Sequence, residues 1–594
     1  MNKNPFTVIS PEELAAQRAE QLFVDFYEYP AVTREGNTLI IGARGCGKSM
    51  MIRCSLPDVL MLRKKKNFDE LDFLAFCIPI KKTSLNLQEL SSLEKQHAPY
   101  ILNEHFMSLH VLMHVFLQLS KLDLCIDKFS YEKFINEFYK PKIKSVGFKG
   151  RFKVNYSTTQ KFFFSLYNHI CKMVDEFVIY LVKLLSQPDK SFSYNLPIIS
   201  FTRFIVPLFN EIMLLSGFPR GKPIFIFFDD ADNLSDVQKR ILNSWLASRT
   251  QPNISIKISS QIGMYKMYLT TNNVLVESPH DYQEINISYI YTNKNADFYN
   301  KAKDILLKRL KLSNIISSVD DFFPVDEVQQ RAIKKEEDKI RDSYKNSGRG
   351  YRESDDVRRY AIPNYIKHLG GSRKSRSTYK YAGIDNIIHL SSGIIRYLLD
   401  ASANMYDVEF SKRKDQQVTF ISPSVQNSVM RNKADTYLFI ELRKSSNNDS
   451  LIEIVNNPTN LTDKLSNLIN AMGKTFHDIL LSDRAERKVF SIALTDVELD
   501  KEIKPVFDLG VRLGFFHESY IGNKEGNGRT RLYVLNRCFA PIFTLDPTGF
   551  QGYLFITNAD LKKAIFNGKE LRDIDINDKK LLIKQLSLED FWEE

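Results

Sequence analysis

Hydrophobic positions along this chain change their period several times, and each change marks an element. All-apolar or nearly all-apolar runs stand at residues 38–41, 73–80 and 224–228, and residues 254–258 and 284–287 alternate. Short continuous apolar runs suit strands buried on both faces, which points to a parallel sheet covered by helices. The expectation is an α/β fold with a doubly wound sheet of about five strands, its ligand site at their carboxyl ends. Between the second and third runs the period lengthens to that of a helix. Residues 106–122 and 162–185 therefore predict long helices within an insertion at about residues 90–210 of a core spanning residues 1–300. Further on, residues 390–399 fall in a helical region (residues 301–415, with a charged insertion at 312–380), and residues 424–442 and 462–481 read as helices around a linker at 416–475. Residues 484–495 and 501–513 read as two more helices, the second broken near Pro505. Strand-like residues 515–521 and 530–535 follow, joined by the turn Gly522-Asn523-Lys524-Glu525-Gly526-Asn527-Gly528. Two helices and a hairpin outline a winged-helix-like domain at 476–545, leaving 546–594 as a tail that ends on acidic and aromatic residues.

Composition narrows the class. The 594 residues are too many for one core, and 43% hydrophobic residues supply several. No apolar stretch is long enough to span a bilayer, the first residues lack a secretory apolar core, and the six cysteines form no C-x-x-C pair. The expected setting is the reducing cytoplasm, away from the membrane. The net charge is +11, and much of the excess is local: residues 331–380 hold 15 basic against 7 acidic residues. A second cluster, Lys140, Lys142, Lys144, Lys149, Arg151 and Lys153, is interleaved with Phe148, Phe152 and Tyr156. Cations beside stacking rings suit a nucleic-acid backbone and its exposed bases, although a charge run also serves as a plain solvated insertion.

The sharpest chemistry is Gly42-Ala43-Arg44-Gly45-Cys46-Gly47-Lys48-Ser49, set between the first strand and the helix-compatible Met50-Met51-Ile52. Such a loop curls its amides around phosphate oxygens, Lys48 reaches the outer phosphates and Ser49 offers a hydroxyl to magnesium. It implies a nucleoside triphosphate and Mg2+. The acidic half follows the strand at 224–228: Asp229 is placed to hold magnesium opposite Ser49, and Asp230 to orient or deprotonate the attacking water. The Asp pair also fits a helix cap. Ser259 or Ser260, at the tip of the neighbouring strand, is the candidate to reach the outer phosphate, with Ser260 preferred. His110 and His114 share the i, i+4 spacing of a zinc pair, but packed histidines explain them better; His280-Asp281 lacks a nucleophile motif.

The order of phosphate loop, acidic strand, polar sensor and lid segment Leu390-Ser391-Ser392-Gly393-Ile394-Ile395-Arg396 resembles the AAA+ ATPases. The D-D-x-D acidic motif, the winged segment and the opening N-P-F…P-E-E-L are similar to the origin-recognition and initiator-like branch and to a bacterial group related to it. The resemblance implies that Arg396 touches the outer phosphates and reports nucleotide state to the lid, and that subunits assemble. Two departures stand out. Asp230 replaces the usual glutamate, and the Lys48-to-Asp229 spacing is long. Arg240 and Arg249 both follow the acidic strand, and nothing chooses between them as a finger arginine.

Two functions fit. In the first, ATP hydrolysis drives lid and winged-helix movement on DNA, held by Lys504, Arg512, Lys524, Arg529 and Arg531, with Lys149 and Arg151 in the insertion. In the second, the protein is a nucleotide-gated switch or oligomeric scaffold, as in bacterial antiphage defence, that recruits a separate effector protein. A small-molecule kinase needs neither lid arginine nor winged module.

Overall fold

The computed structural model describes residues 4–25, 28–80, 90, 99–124, 127–186, 197–248, 253–288, 298–348, 352–370, 378–413, 417–442, 458–484, 487–522, 529–548 and 552–571. They form two compact units. The first holds Ile9–Ala43 and Gly47–Ser288, and the second holds Met1–Val8, Arg44–Cys46 and Tyr289–Glu594.

The first unit is built on five parallel strands, β1 (Thr38–Gly42), β2 (Leu74–Pro79), β3 (Ile224–Asp229), β4 (Ile254–Gln261) and β5 (Gln283–Asn286), in the order β2-β3-β4-β1-β5. All six residues of β3 are buried, which is why its sequence shows no alternation. In β4 the sequence alternates, yet both faces are buried. Ile254, Ile256 and Ile258 enter the hydrophobic core on one face, while Ser255, Lys257 and Ser259 take the other, equally buried. Lys257 is tolerated there because its ammonium donates to Arg34 O (2.5 Å), Gly36 O (2.7 Å) and Thr38 Oγ1 (2.9 Å), meeting all three of its donors.

Helix α1 (Lys48–Arg53) follows β1, and the expected insertion contains α2 (Pro99–Leu119), α3 (Lys140–Ser145) and α4 (Thr159–Ser186), so both long helices read from the period are present. Helix α5 (Asp236–Ala247) follows β3 behind a capping box of Ser235 and Gln238. Helix α2 packs against β2, α4 and α5, so the insertion shares one hydrophobic core with the sheet. That core also claims the rings expected to stack on bases. Phe152 lies parallel to His169 with centroids 4.2 Å apart, Phe148 meets the same ring edge-on at 4.7 Å, and Tyr156 packs on Phe162. Lys149, Arg151 and Lys153 between them are exposed. The segment 148–156 thus turns its rings inward and its cations outward, with period two.

The second unit contains helices α6 (Phe298–Leu312), α7 (Glu327–Ser347), α8 (Glu353–Gly370), α9 (Ile384–Leu390), α10 (Ile395–Lys412), α11 (Pro423–Asp435) and α12 (Pro458–Leu481). The charged stretch around 331–380 holds α7 and α8, which pack on each other. A four-stranded sheet follows, β6 (Val489–Leu494), β7 (Phe516–Gly522), β8 (Arg529–Leu535) and β9 (Gly552–Ile556), in the order β7-β8-β6-β9, with α13 (Lys504–Arg512) and α14 (Asn558–Asn567). The helix expected at 501–513 and the hairpin after it lie where the pattern put them. Two expectations fail. Residues 484–495 were expected to be helical, but Val489–Leu494 is a fully buried strand, paired antiparallel to β8 and parallel to β9, because its six residues are needed on both faces of a sheet. Residues 546–594 were expected to be a tail, yet β9 forms an edge of that sheet beside β6 and α14 packs on α12. The last acidic-aromatic residues lie outside the described residues. Among the described residues no helix is long and apolar enough to cross a membrane.

Candidate nucleotide site

Strand β1 stops at Gly42 and α1 starts at Lys48, so the loop Gly42 to Ser49 joins a buried strand tip to a helix N-terminus. Gly45 and Gly47 turn it with φ of +86° and +115°, angles that a β-carbon disfavours. The Lys48 ammonium folds back onto Gly42 O (2.8 Å) and Ala43 O (3.2 Å), and the Ala43 amide donates to Ser288 Oγ beyond β5 at 2.6 Å. Met50 continues the first turn of α1.

The loop tip, Arg44–Cys46, belongs to the second unit, and there it meets Arg396. The backbone N–H of Arg396, in the first turn of α10, donates to Gly45 O at 3.0 Å. A β-carbon on Gly45 would stand 2.7 Å from Arg396 Cβ and 3.3 Å from Ile394 Cγ2, so only glycine allows this approach.

Asp229 ends β3 almost wholly buried. The Ser259 hydroxyl donates to its Oδ1, and Ser49, in the first turn of α1, acts on the same carboxyl. Burial pushes its carboxyl above the usual range, against the hydroxyls of Ser259 and Ser49 and the charge of Lys48, which favour the carboxylate. Asp230 is exposed and sits in the left-handed region at φ +56°, its N–H donating to Ser259 Oγ at 3.0 Å. Ser259 therefore joins both acidic residues. Ser260, the preferred sensor from sequence, is on the other face of β4 and donates to Gln261 O (3.2 Å). The strand period of two put one serine beside the carboxylate and turned its neighbour away.

Sequence reasoning missed Glu12. It lies in a short 3-10 helix, Pro11–Glu13, which packs on α1, and its charge is among those acting on Asp229. Arg53 of α1 clamps that segment, donating to Leu14 O (3.0 Å) and to Asp58 (2.7 Å). No spacing rule links residue 12 to the loop, so the sequence carried no signal for it.

The oxygen donors of Ser49 and Asp229, near each other where a strand tip meets a helix N-terminus, fit a magnesium ion that keeps most of its water and binds phosphate. Among the described residues no three His, Cys, Asp or Glu side chains gather as a protein-only metal site. The His110 and His114 rings pack 4.5 Å apart, His110 Nε2 is 3.3 Å from Pro79 O, and burial pushes the pKa of His110 down to about 4. Packed histidines are the reading that the structure supports.

A family model described as ORC-CDC6-like matches residues 4–556. The chain belongs to the ORC-CDC6-like family. The phosphate loop, acidic strand and lid described above all fall within the matched span of this ORC-CDC6-like chain. Among solved structures it matches the ORC2 protein of Aeropyrum pernix, solved as ADPNP-ADP complexes, at 9% identity and TM-score 0.29 over 96% of this chain and 97% of that one. It also matches Cdc6p of Pyrobaculum aerophilum at 12% identity and TM-score 0.26, over 96% and 99%. Neither likeness is close enough to transfer detail. No curated protein matches the chain by sequence.

The residues picked for DNA separate into three groups. Lys504 and Arg529 are exposed, as are Lys149 and Arg151. Arg531 is engaged, with Nε 3.1 Å from Glu518, and Arg512 is half-buried with Asp508 acting on it. Lys524 lies outside the described residues, as does Arg249. Arg240 donates to Asn273 Oδ1 (2.6 Å) and Thr270 O (3.3 Å).

Proposed function

We propose that this chain is a magnesium-dependent ATPase of the initiator type, with hydrolysis at the loop Gly42 to Ser49. The observation that carries this is Asp229, buried at the tip of a strand that packs on α1 of the phosphate loop, with the Ser259 hydroxyl donating to it and Ser49 and Lys48 acting on its carboxyl. Bound magnesium supplies charge neutralisation at the outer phosphates, and Ser49 and Asp229 are the residues that hold it. Loop amides and the α1 N-terminus bind the phosphates, and Lys48 exchanges its loop carbonyls for them. Asp230 takes a proton from the attacking water as its oxygen bonds to the γ-phosphorus and the bond to the β-phosphate oxygen breaks, releasing ADP and phosphate. Arg396, already bonded through its backbone to Gly45, is the lid residue assigned to read the nucleotide.

The coupled partner in this reading is DNA, held by phosphate contacts. The exposed Lys149, Arg151 and Lys153 support it, and the inward rings at 148–156 limit that surface to backbone contact without base stacking. ATP turnover of the purified protein, alone and with double- or single-stranded DNA, tests it beside Lys48→Ala and Asp230→Asn. Stimulation by DNA that both substitutions abolish is expected.

One observation favours a second reading. Arg531 on the hairpin is paired with Glu518, which weakens the winged module as a DNA grip and suits a protein-docking role. A nucleotide-gated switch that recruits an effector, as in antiphage defence, predicts turnover indifferent to DNA and a nucleotide-dependent oligomeric state.

A further inference from the structure

Asn4-Pro5-Phe6-Thr7 folds into a turn of its own. The Phe6 N–H donates to Asn4 Oδ1 (2.9 Å) and the Thr7 hydroxyl to Asn4 O (3.0 Å). That turn is seated on three elements of the second unit. Phe6 has no exposed surface, and its ring lies 5.8 Å and 5.7 Å from Phe322 and Phe323 and 6.5 Å from Tyr406 of α10. The Asn4 amide donates to Ala403 O (2.9 Å) and Asp407 Oδ1 (2.8 Å), also on α10. Arg309, in the last turn of α6, donates to both Pro5 O (3.1 Å) and Thr7 O (3.0 Å). A pocket for one ring, a site for one side-chain amide and a guanidinium on two backbone carbonyls are what a groove needs to recognise a short peptide.

The connection out of this groove is short and open. Residues up to Val8 belong to the second unit and Ile9 onwards to the first, and the two side chains at the crossing are 38% and 43% exposed. A terminal segment that docks through a compact motif and leaves on an exposed connection is exchanged between identical chains at little cost, because the hydrogen bonds and ring packing it gives up in its own groove are remade identically in the other chain's.

We propose that the groove formed by Phe322, Phe323, Tyr406, Arg309 and the Ala403–Asp407 turn of α10 is a peptide-recognition site, and that a second copy of this chain seats its own Asn4-to-Thr7 turn there. The tethered segment competes from within the same chain at an effective concentration of about millimolar, so exchange shows when the internal contact is broken. Nucleotide chemistry is not involved, and the proposal stands or falls independently of it.

Two full-length variants each remove half of the contact. Phe6→Ala lacks the plug and keeps the groove, while Arg309→Ala keeps the plug and lacks the clamp. Mixed in equal amounts at high concentration, they form one complete contact only by exchange. The expected result is a weight-average mass by light scattering above that of either variant alone. A fluorescent peptide of residues 1–10 should also bind the Phe6→Ala chain saturably, and the same peptide carrying Phe6→Ala should bind about tenfold or more weakly. Asn4→Ala serves as plug-deficient host if circular dichroism shows Phe6→Ala unfolded. A mixture no heavier than its components overturns the exchange, and a peptide that fails to bind or ignores Phe6 overturns the recognition site.

Discussion

The Ser259 hydroxyl donates to the Asp229 carboxylate and accepts the Asp230 amide at 3.0 Å, so one side chain fixes both acidic residues of the candidate site. Without that hydroxyl the Asp230 amide loses this bond, and a left-handed non-glycine residue loses one of the contacts that hold it there. Nucleotide binding rests on the loop and should survive. Ser259→Ala is therefore expected to lower kcat by about 10-fold to 100-fold, a loss of about 1.4–2.7 kcal/mol of transition-state stabilisation, with nucleotide affinity within about 2-fold. Ser259→Thr should restore most of the rate, and Ser260→Ala should leave kcat unchanged and cost about 1 kcal/mol of stability. Steady-state turnover beside nucleotide titration separates the two serines. An equal loss of rate at Ser260 would remove the assignment.

Gly45 gives a second outcome. Its φ of +86° and the 2.7 Å approach of Arg396 Cβ leave no room for a methyl group. Gly45→Ala should incur the left-handed strain of about 1 kcal/mol and also displace Arg396 from Gly45 O, so thermal stability falls and nucleotide affinity falls with it. Gly36, at φ +98° with open space where a β-carbon would go, is the control, because Gly36→Ala carries the strain without the clash. Equal effects at the two positions would show that the contact with Arg396 contributes nothing.

What could be read from the sequence was what is local in it. The phosphate loop, β3 with its two aspartates and β4 are each specified by consecutive residues, and all appear where the pattern placed them. The choice between Ser259 and Ser260 was not readable, because it depends on which face of β4 meets β3. Residues 148–156 show the same limit. Their alternation of rings and cations is plain, but His169, further along the chain, decides that the rings face inward. β6 was misread because its partners β8 and β9 lie about 40 and 60 residues on, and without them five apolar residues and Ser491, preceded by Arg487 and Lys488, read equally well as helix. The seat of Phe6 on Phe322 and Tyr406 is more distant still.

Lys257 makes stability depend on pH. Burial pushes its ammonium down to about 7, against three accepting oxygens that hold the proton. In the unfolded chain a lysine titrates near ~10.4. Between these values the unfolded state binds more protons, so the contribution rises with pH from about 7 and is flat below it, with a slope of up to about 1.4 kcal/mol per pH unit. Urea unfolding at pH 6 to 9 should show wild type gaining stability relative to Lys257→Met as pH rises. A difference independent of pH would mean that the buried ammonium keeps its ordinary pKa.

The charge on segment 148–156 offers the last test, and it separates the insertion from the winged module. Lys149, Arg151 and Lys153 are exposed and the rings between them are turned in, so any polyanion meets three cations and no stacking surface. Arg531 is 3.1 Å from Glu518, and bringing it to a phosphate would first require breaking that pair. If DNA is the partner, Lys149→Ala with Arg151→Ala should lower affinity alike for unrelated duplexes and reduce the slope of log K against log salt by about 2, one for each cation lost. Arg531→Ala should change that slope by less than about 0.5, since a cation already neutralised releases few counterions. Fluorescence anisotropy with a labelled duplex across a salt series reads both. A larger change at Arg531 than at the insertion would move the DNA contact to the hairpin.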